Sequence, residues 1–341
     1  MKASIKNTLD RRFCVAPLLD LTTQHQRYFM RILSKHAVLY TEMITTGALI
    51  YGDRDRYLQY NEAEHPVAIQ LGGSDPKDMA QCAKMAEDYG YDEININLGC
   101  PSERVQKGAF GACLMLEPEL IAECIGEMQV AASKTPITVK NRIGVDDHDS
   151  YDKLTRFVDI IASAGCETFI IHARKALLKG LSPKQNREIP PLSYPTVYQL
   201  KKDFPQLEFI LNGGIKTLQE AEEHQQHVDG VMLGREAYHN PFLLVEVDQQ
   251  LYQDNQPLLD RKQIIELLIE YTEQQLSKGV PLNHMTRHIL GLFHAQSGAK
   301  AWRRHLSENA TKKGAGIEVL QEAKEIQHEH QKAIDLKNSK R

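Results

Sequence analysis

The chain has 341 residues, 42% of them hydrophobic and 25% charged, with a formal net charge of −4. A chain of this size buries roughly 75% of its unfolded surface, so its core needs no disulfide or metal staple. No apolar run approaches the ~18 residues that span a bilayer, the six cysteines show no C-x-x-C pair or metal-ligand rhythm, and no apolar leader follows Met1. Together these features predict reduced thiols in a cytoplasmic, metal-free protein, expected to be monomeric.

From residue 13 to 236 short apolar runs alternate with polar, helix-like stretches. The strand candidates are Phe13–Leu18, Val38–Met43, Val67–Leu71, Glu93–Leu98, Ile137–Asn141, Thr168–His172, Glu208–Leu211 and Gly230–Leu233. Most are apolar throughout, as a parallel sheet covered on both faces requires. The fourth differs: Glu93, Asn95 and Asn97 share one face at period two, so that face must line something polar. Between strands, Asp75-Pro76 reads as a helix start, with Met79, Cys82, Met85 and Tyr89 on one face and Gly90 as the stop. Lys153–Ala164 reads likewise, with Leu154, Phe157, Ile160 and Ile161 inward and Gly165 ending it.

Eight βα units over about 230 residues fit a TIM (β/α)8 barrel. The rival, a doubly wound sheet that binds dinucleotides, lacks its G-x-G-x-x-G turn after the first strand. Beyond about Leu258 the strand signal vanishes. Helical spacing takes over around Ile264–Tyr271, Met285–Phe293, Ala299–Asn309 and Ile317–Ile334. The expected organisation is a barrel over 1–255, a junction at Asn255-Gln256-Pro257, and a small all-helical domain over 256–341.

The segment Ile96-Asn97-Leu98-Gly99-Cys100-Pro101-Ser102 places a lone thiol at a strand end, between a glycine that allows a sharp turn and a proline that stops the strand. Cys100 is either a small buried hydrophobe or a thiol that meets a substrate, and strand-end loops are where reactive groups collect. Other strand ends carry Ala16-Pro17-Leu18-Leu19-Asp20, Gln70, Lys140 and Arg142, His172 and Arg174, Asn212-Gly213-Gly214 and Gly234-Arg235. The last two form the usual phosphate position of such barrels, after strands seven and eight, with Arg235 as a fork for phosphate oxygens. Gln70, Lys140 and His172 offer an amide, an ammonium and an imidazole suited to the polar edge of a flavin. The chemistry implies a phosphorylated cofactor, with FMN the best match.

Charge placement points to a polyanionic partner. Arg174–Arg187 holds five basic residues and no acid, and Met285–Lys313 holds six Lys/Arg against Glu308 alone, with Trp302 among them. Two such segments on an otherwise acidic chain look like a nucleic-acid footprint.

With these residues in view, the chain resembles the tRNA-dihydrouridine synthases. The likeness runs from Ala16-Pro17 through Asn97-Leu98-Gly99-Cys100-Pro101-Ser102, Lys140, His172-Ala173-Arg174, Asn212-Gly213-Gly214 and Gly234-Arg235, and into the helical tail. The stretch from His172 to Arg187 is most similar to the bacterial A subfamily. The resemblance implies an FMN-dependent reduction of uridine to dihydrouridine at D-loop positions 20 and 20a of tRNA, with NADPH as reductant. It implies that Pro17, Leu18, Leu19, Gln70, Lys140, His172, Asn212, Gly213, Gly214, Gly234 and Arg235 hold FMN. Cys100 would be the proton donor. Independently of the resemblance, Asn97 beside it is expected to meet the uracil edge, and Lys184, Arg187, Arg303 and Arg304 of the two basic segments are expected to contact tRNA. Hydride would reach carbon 6 of uracil from the reduced flavin and a proton carbon 5 from Cys100, whose thiol class is mostly protonated near neutrality. Two alternatives share parts of this pattern: a small-molecule dihydropyrimidine or dihydroorotate-type flavin oxidoreductase, and a non-catalytic tRNA-binding protein.

Overall fold

The computed structural model describes residues 9–338. Eight parallel strands close into a barrel in chain order: β1 (Phe13–Val15), β2 (Val38–Thr45), β3 (Val67–Gly72), β4 (Glu93–Leu98), β5 (Ile137–Arg142), β6 (Thr168–His172), β7 (Glu208–Asn212) and β8 (Gly230–Leu233). Helices cover the outside, so the strands are buried on both faces, which accounts for their apolar runs. β1 stops at Val15 rather than at Leu18. Ala16 N–H makes one more bond to Leu233 O, and then Pro17, without an N–H, ends the ladder. The chain turns there, with the backbone N–H and the hydroxyl of Thr22 both bonded to Leu18 O.

The barrel interior is packed with Cys14, Ala16, Val38, Tyr40, Ala68, Ile170, Ile210 and Met232. The polar face expected on β4 lines this interior. At the N-terminal end, Glu93 pairs with Arg11 at 2.6 Å, and Arg11 reaches Glu208 at 2.9 Å.

Asp75 caps helix Pro76–Tyr89 by accepting from the N–H groups of Lys77 and Asp78. Its buried face is Met79, Cys82, Ala83 and Ala86. Met85 is half-buried and Tyr89 exposed, so Ala83 and Ala86 take the places expected for them on the inward face. Helix Tyr151–Ser163 begins two residues before the expected Lys153, since Ser150 supplies the cap. Val158, not Ile160, completes its buried face with Leu154, Phe157 and Ile161.

The chain divides into two compact units. One is the barrel, up to Thr22 and from His36 to Gly234. The other comprises Thr23–Lys35 and everything from Arg235 onward, whereas composition had suggested a junction at 255. Helix Gln24–Leu33 belongs to the helical unit because its side chains are bonded there. His25 Nδ1 lies 2.7 Å from the Tyr271 hydroxyl, and the Tyr28 and Tyr271 rings stack at 3.8 Å. Such contacts between distant segments leave no local trace in a sequence. The unit also contains Arg235–His239, Val247–Tyr252, Arg261–Ser277, Leu282–Thr286, Ala299–Asn309 and Glu318–Asn338. Of the helical run expected over Met285–Phe293, only the start is helical; the rest is turns. The Trp302 indole is buried there, donating to Ile289 O at 3.1 Å. Among the described residues no helix is long and apolar enough to cross a membrane.

Candidate active site

The C-terminal ends of the strands bring the chemistry-bearing residues together. Register places Gln70 beside Asn95, Asn97 beside Lys140, Arg142 beside His172, and His172 beside Asn212. Lys140 Nζ donates to Asn212 Oδ1 at 3.0 Å, and Asn212 Nδ2 donates to Met232 O at 2.7 Å. Gln70 gives Nε2 to Asn95 and accepts Asn97 Nδ2 at 2.7 Å.

Cys100 is half-buried on a turn built by Asn97, whose Oδ1 accepts the N–H groups of Gly99 (3.1 Å) and Cys100 (3.0 Å). The carbonyl of Cys100 takes the N–H of Ala112. Gly111 is required there: its φ is +80° and a Cβ would stand 2.6 Å from Cys100 O. Cys113, on the same loop, points its thiol at Phe110 O, and burial raises its pKa. None of the six cysteines is paired with another.

Cations crowd this mouth. Lys140 is pushed down to about 7 by loss of water and by Arg142, with Cys100 pulling the other way. Arg142 is pushed down to about 10 by burial, Arg187 and Arg174, again opposed by Cys100. Lys140 pairs in register with Asn97, and Arg142 bonds the carbonyl of Gly99, so both lie against the turn that carries Cys100. Burial holds His172 well below its ordinary pKa, and Arg142, Lys140, Arg174 and Arg187 push the same way. The imidazole is therefore neutral, and its Nδ1 is buried with no hydrogen-bond partner. A buried polar atom left unpaired is costly and calls for a partner.

Gly213 and Gly214 follow β7 with φ of +120° and +79°. A Cβ on Gly213 would stand 3.3 Å from the His172 ring, and one on Gly214 2.6 Å from Leu192. The backbone thus passes close beneath the mouth, where a side chain would fill the space. Gly234 follows β8, and the next residue, Arg235, is exposed and opens helix Arg235–His239. Pro17 and Leu18 are half-buried after β1, and Leu19 is 61% exposed. An orphaned imidazole nitrogen, a desolvated lysine, an amide and a glycine-lined cradle fit the polar edge and phosphate of a flavin mononucleotide.

The two basic segments fare differently. Arg142 donates to Gly99 O (2.8 Å), Lys175 O and Asn186 O (both 3.1 Å), tying the Cys100 turn to the 174–187 loop. Gln106 makes a second tie, from Pro101 O to Leu178 O. Buried Asn186 organises the loop by bonding Leu177, Leu181 and Ser182. Arg174 donates to Pro190 O, Lys175 pairs with Asp149, and Arg187 is half-buried, leaving Lys179 and Lys184 exposed. In the helical unit, Lys300, Arg303 and Arg304 lie on the exposed side of Ala299–Asn309 while Ala299, Trp302 and Leu306 face inward. Trp302 is core there, not a stacking platform.

Residues 14–329 match the model of the dihydrouridine synthase family. The chain belongs to that family. The tRNA-dihydrouridine(20/20a) synthase of Vibrio vulnificus is 60% identical over 313 residues, covering 92% of this chain and 95% of the relative. The Escherichia coli (strain K12) protein of that name is 58% identical over 313 residues, covering 92% and 90%. Among solved structures, an old yellow enzyme homologue from Zymomonas mobilis shares the barrel, with a TM-score of 0.52 at 12% identity over 73% of this chain and 90% of that one.

Within this dihydrouridine synthase family member, several residues escaped sequence reasoning: Arg11, Thr138, Gln106 and Asn186, and the bonding role of Arg142. For Thr138 a signal existed. Thr138, Lys140 and Arg142 alternate at period two on β5, as Glu93, Asn95 and Asn97 do on β4.

Proposed function

We propose that the chain is a tRNA-dihydrouridine(20/20a) synthase that uses FMN and NADPH and acts in the cytoplasm. The observation that carries this reading is one mouth holding a half-buried thiol, a desolvated lysine and a half-buried imidazole whose Nδ1 is buried and orphaned. Lys140, His172, Asn212 and Gln70 would hold the polar edge of FMN. Gly213, Gly214, Gly234 and the chain-adjacent Arg235 would hold its phosphate, and Pro17, Leu18 and Leu19 its ring face. When bound and reduced, the flavin supplies a hydride for carbon 6 of uracil.

The rest falls to the protein. Charge passes to the uracil carbonyl as carbon 6 is attacked, and carbon 5 must then take a proton. Cys100 holds that proton and gives it to carbon 5, and water restores it to the sulfur left behind. Asn97 keeps one amide N–H after bonding Gln70, which is available to the uracil edge. Lys184 and Arg187 beside the mouth, with Arg303 and Arg304 on the helical unit, would meet tRNA phosphates, and the target uridine must leave its stack to enter.

The test is turnover of an unmodified tRNA transcript by FMN-loaded protein with NADPH, with dihydrouridine mapped by position. The expected result is product at positions 20 and 20a and none from free uridine. Turnover of free uridine without tRNA would move the assignment to the small-molecule alternative.

A further inference from the structure

We propose that Glu93 and Thr138 are positioning residues for Cys100, acting from the barrel floor through a hydrogen-bond chain whose direction is fixed at both ends. The inference rests on the reading of Cys100 as the acid.

At the floor, Arg11 Nε donates to Glu93 Oε2, with both side chains fully buried. The hydroxyls of Tyr40 and Thr138 donate to Glu93 Oε1. A carboxylate only accepts, so the Thr138 hydrogen is committed downward. Its oxygen must then accept from above, and Asn95 Nδ2 lies 2.9 Å away. That turns Asn95 Oδ1 toward Gln70 Nε2, at 2.8 Å. Gln70 Oε1 is left for Asn97 Nδ2, and Asn97 Oδ1 for the N–H groups of Gly99 and Cys100.

The upper end demands the same order, since backbone N–H groups only donate. Asn95 and Gln70 are buried, with 0% and 1% exposure, so water does not compete for a reversed amide. Flipping any one of the three amides sets donor against donor, or acceptor against acceptor, at its junctions. The chain therefore has one arrangement, and that arrangement holds the Asn97 carbonyl under the Cys100 turn. Thr138 is the joint between the charged floor and the amides.

The experiment compares Thr138→Val and Thr138→Ser in the full-length, FMN-loaded protein. Thr138→Val removes the hydroxyl while Glu93 keeps Arg11 and Tyr40. Cys100 alkylation by iodoacetamide is followed by mass spectrometry, with the Cys113 peptide as internal reference, alongside kcat and KM for tRNA. Thr138→Val is expected to change the Cys100 labelling rate by about threefold or more relative to Cys113. It should lower kcat by about 10- to 100-fold with KM nearly unchanged, and Thr138→Ser should restore both. An unchanged labelling rate, or a change that serine does not reverse, overturns the proposal. A reversible change in labelling with unaltered kcat upholds the chain and removes Cys100 from its role as acid. Thr138→Ala deletes the same hydroxyl without added bulk and is read the same way should the valine variant not fold.

Discussion

Two imidazole sites, His172 in the barrel and His288 in the helical unit, are electrostatically alike. Burial and neighbouring cations depress both, with His288 pushed down to about 3 by burial and then by Arg287, His25 and His284. Their bonding differs. His288 has Thr23 Oγ1 at 2.9 Å from Nε2 and the Tyr238 hydroxyl at 3.2 Å from Nδ1. Its neighbour His25, pushed down to about 4, is bonded to Tyr271. In the barrel, His172 Nδ1 has nothing. His288 is thus pinned by hydroxyls, whereas His172 keeps a ring nitrogen free for the proposed cofactor.

Replacement variants break the comparison most directly. His172→Ala is expected to weaken FMN retention by about tenfold or more, the worth of a buried hydrogen bond to a ligand, with thermal stability little altered. His288→Ala is expected to leave FMN content intact and to destabilise the protein by about 1–3 kcal/mol through loss of its bonds to Thr23 and Tyr238. Equal FMN loss in both variants, measured by flavin absorbance after gel filtration, would erase the distinction.

Acidification sharpens the comparison. His25 and His288 are neutral when folded and titrate near 6.5 when unfolded. The unfolded chain therefore gains protons first as pH falls. Stability is full above about 6.5 and is lost through the window down to about 4 for His25 and about 3 for His288. Each contributes a loss of about 1.4 kcal/mol per pH unit within it. Denaturant midpoints across this range check the slope, and His288→Ala should flatten it.

A smaller effect separates the basic segments. Charge reversal at Arg303 and Arg304 is expected to weaken tRNA binding by about tenfold at low salt, with a shallower salt dependence and unchanged flavin content. Affinity equal to that of the unaltered protein would remove that face from the interface.

The strands were legible because their burial on both faces writes continuous apolar runs, and β4 announced its polar interior by strict alternation. The strand-end residues followed from counting, since a barrel brings every C-terminal strand end to one rim. The bonds among them did not follow. Arg142 reads locally as one more basic residue, yet its guanidinium is consumed by Gly99, Lys175 and Asn186 carbonyls from two other loops. Lys175 likewise counts toward a basic stretch but is neutralised by Asp149. Net charge along a segment is visible in one dimension; which charges remain for a partner is decided by contacts between segments. The place of Gln24–Leu33 in the helical unit was hidden for the same reason.

The most direct measurement separates the two half-reactions in Cys100→Ala. NADPH is expected to bleach the flavin band of this variant as in the unaltered protein. Dihydrouridine formation in a tRNA transcript is expected to fall by about 100- to 10,000-fold, the range of a lost general acid. Undiminished dihydrouridine formation would contradict the account at its centre.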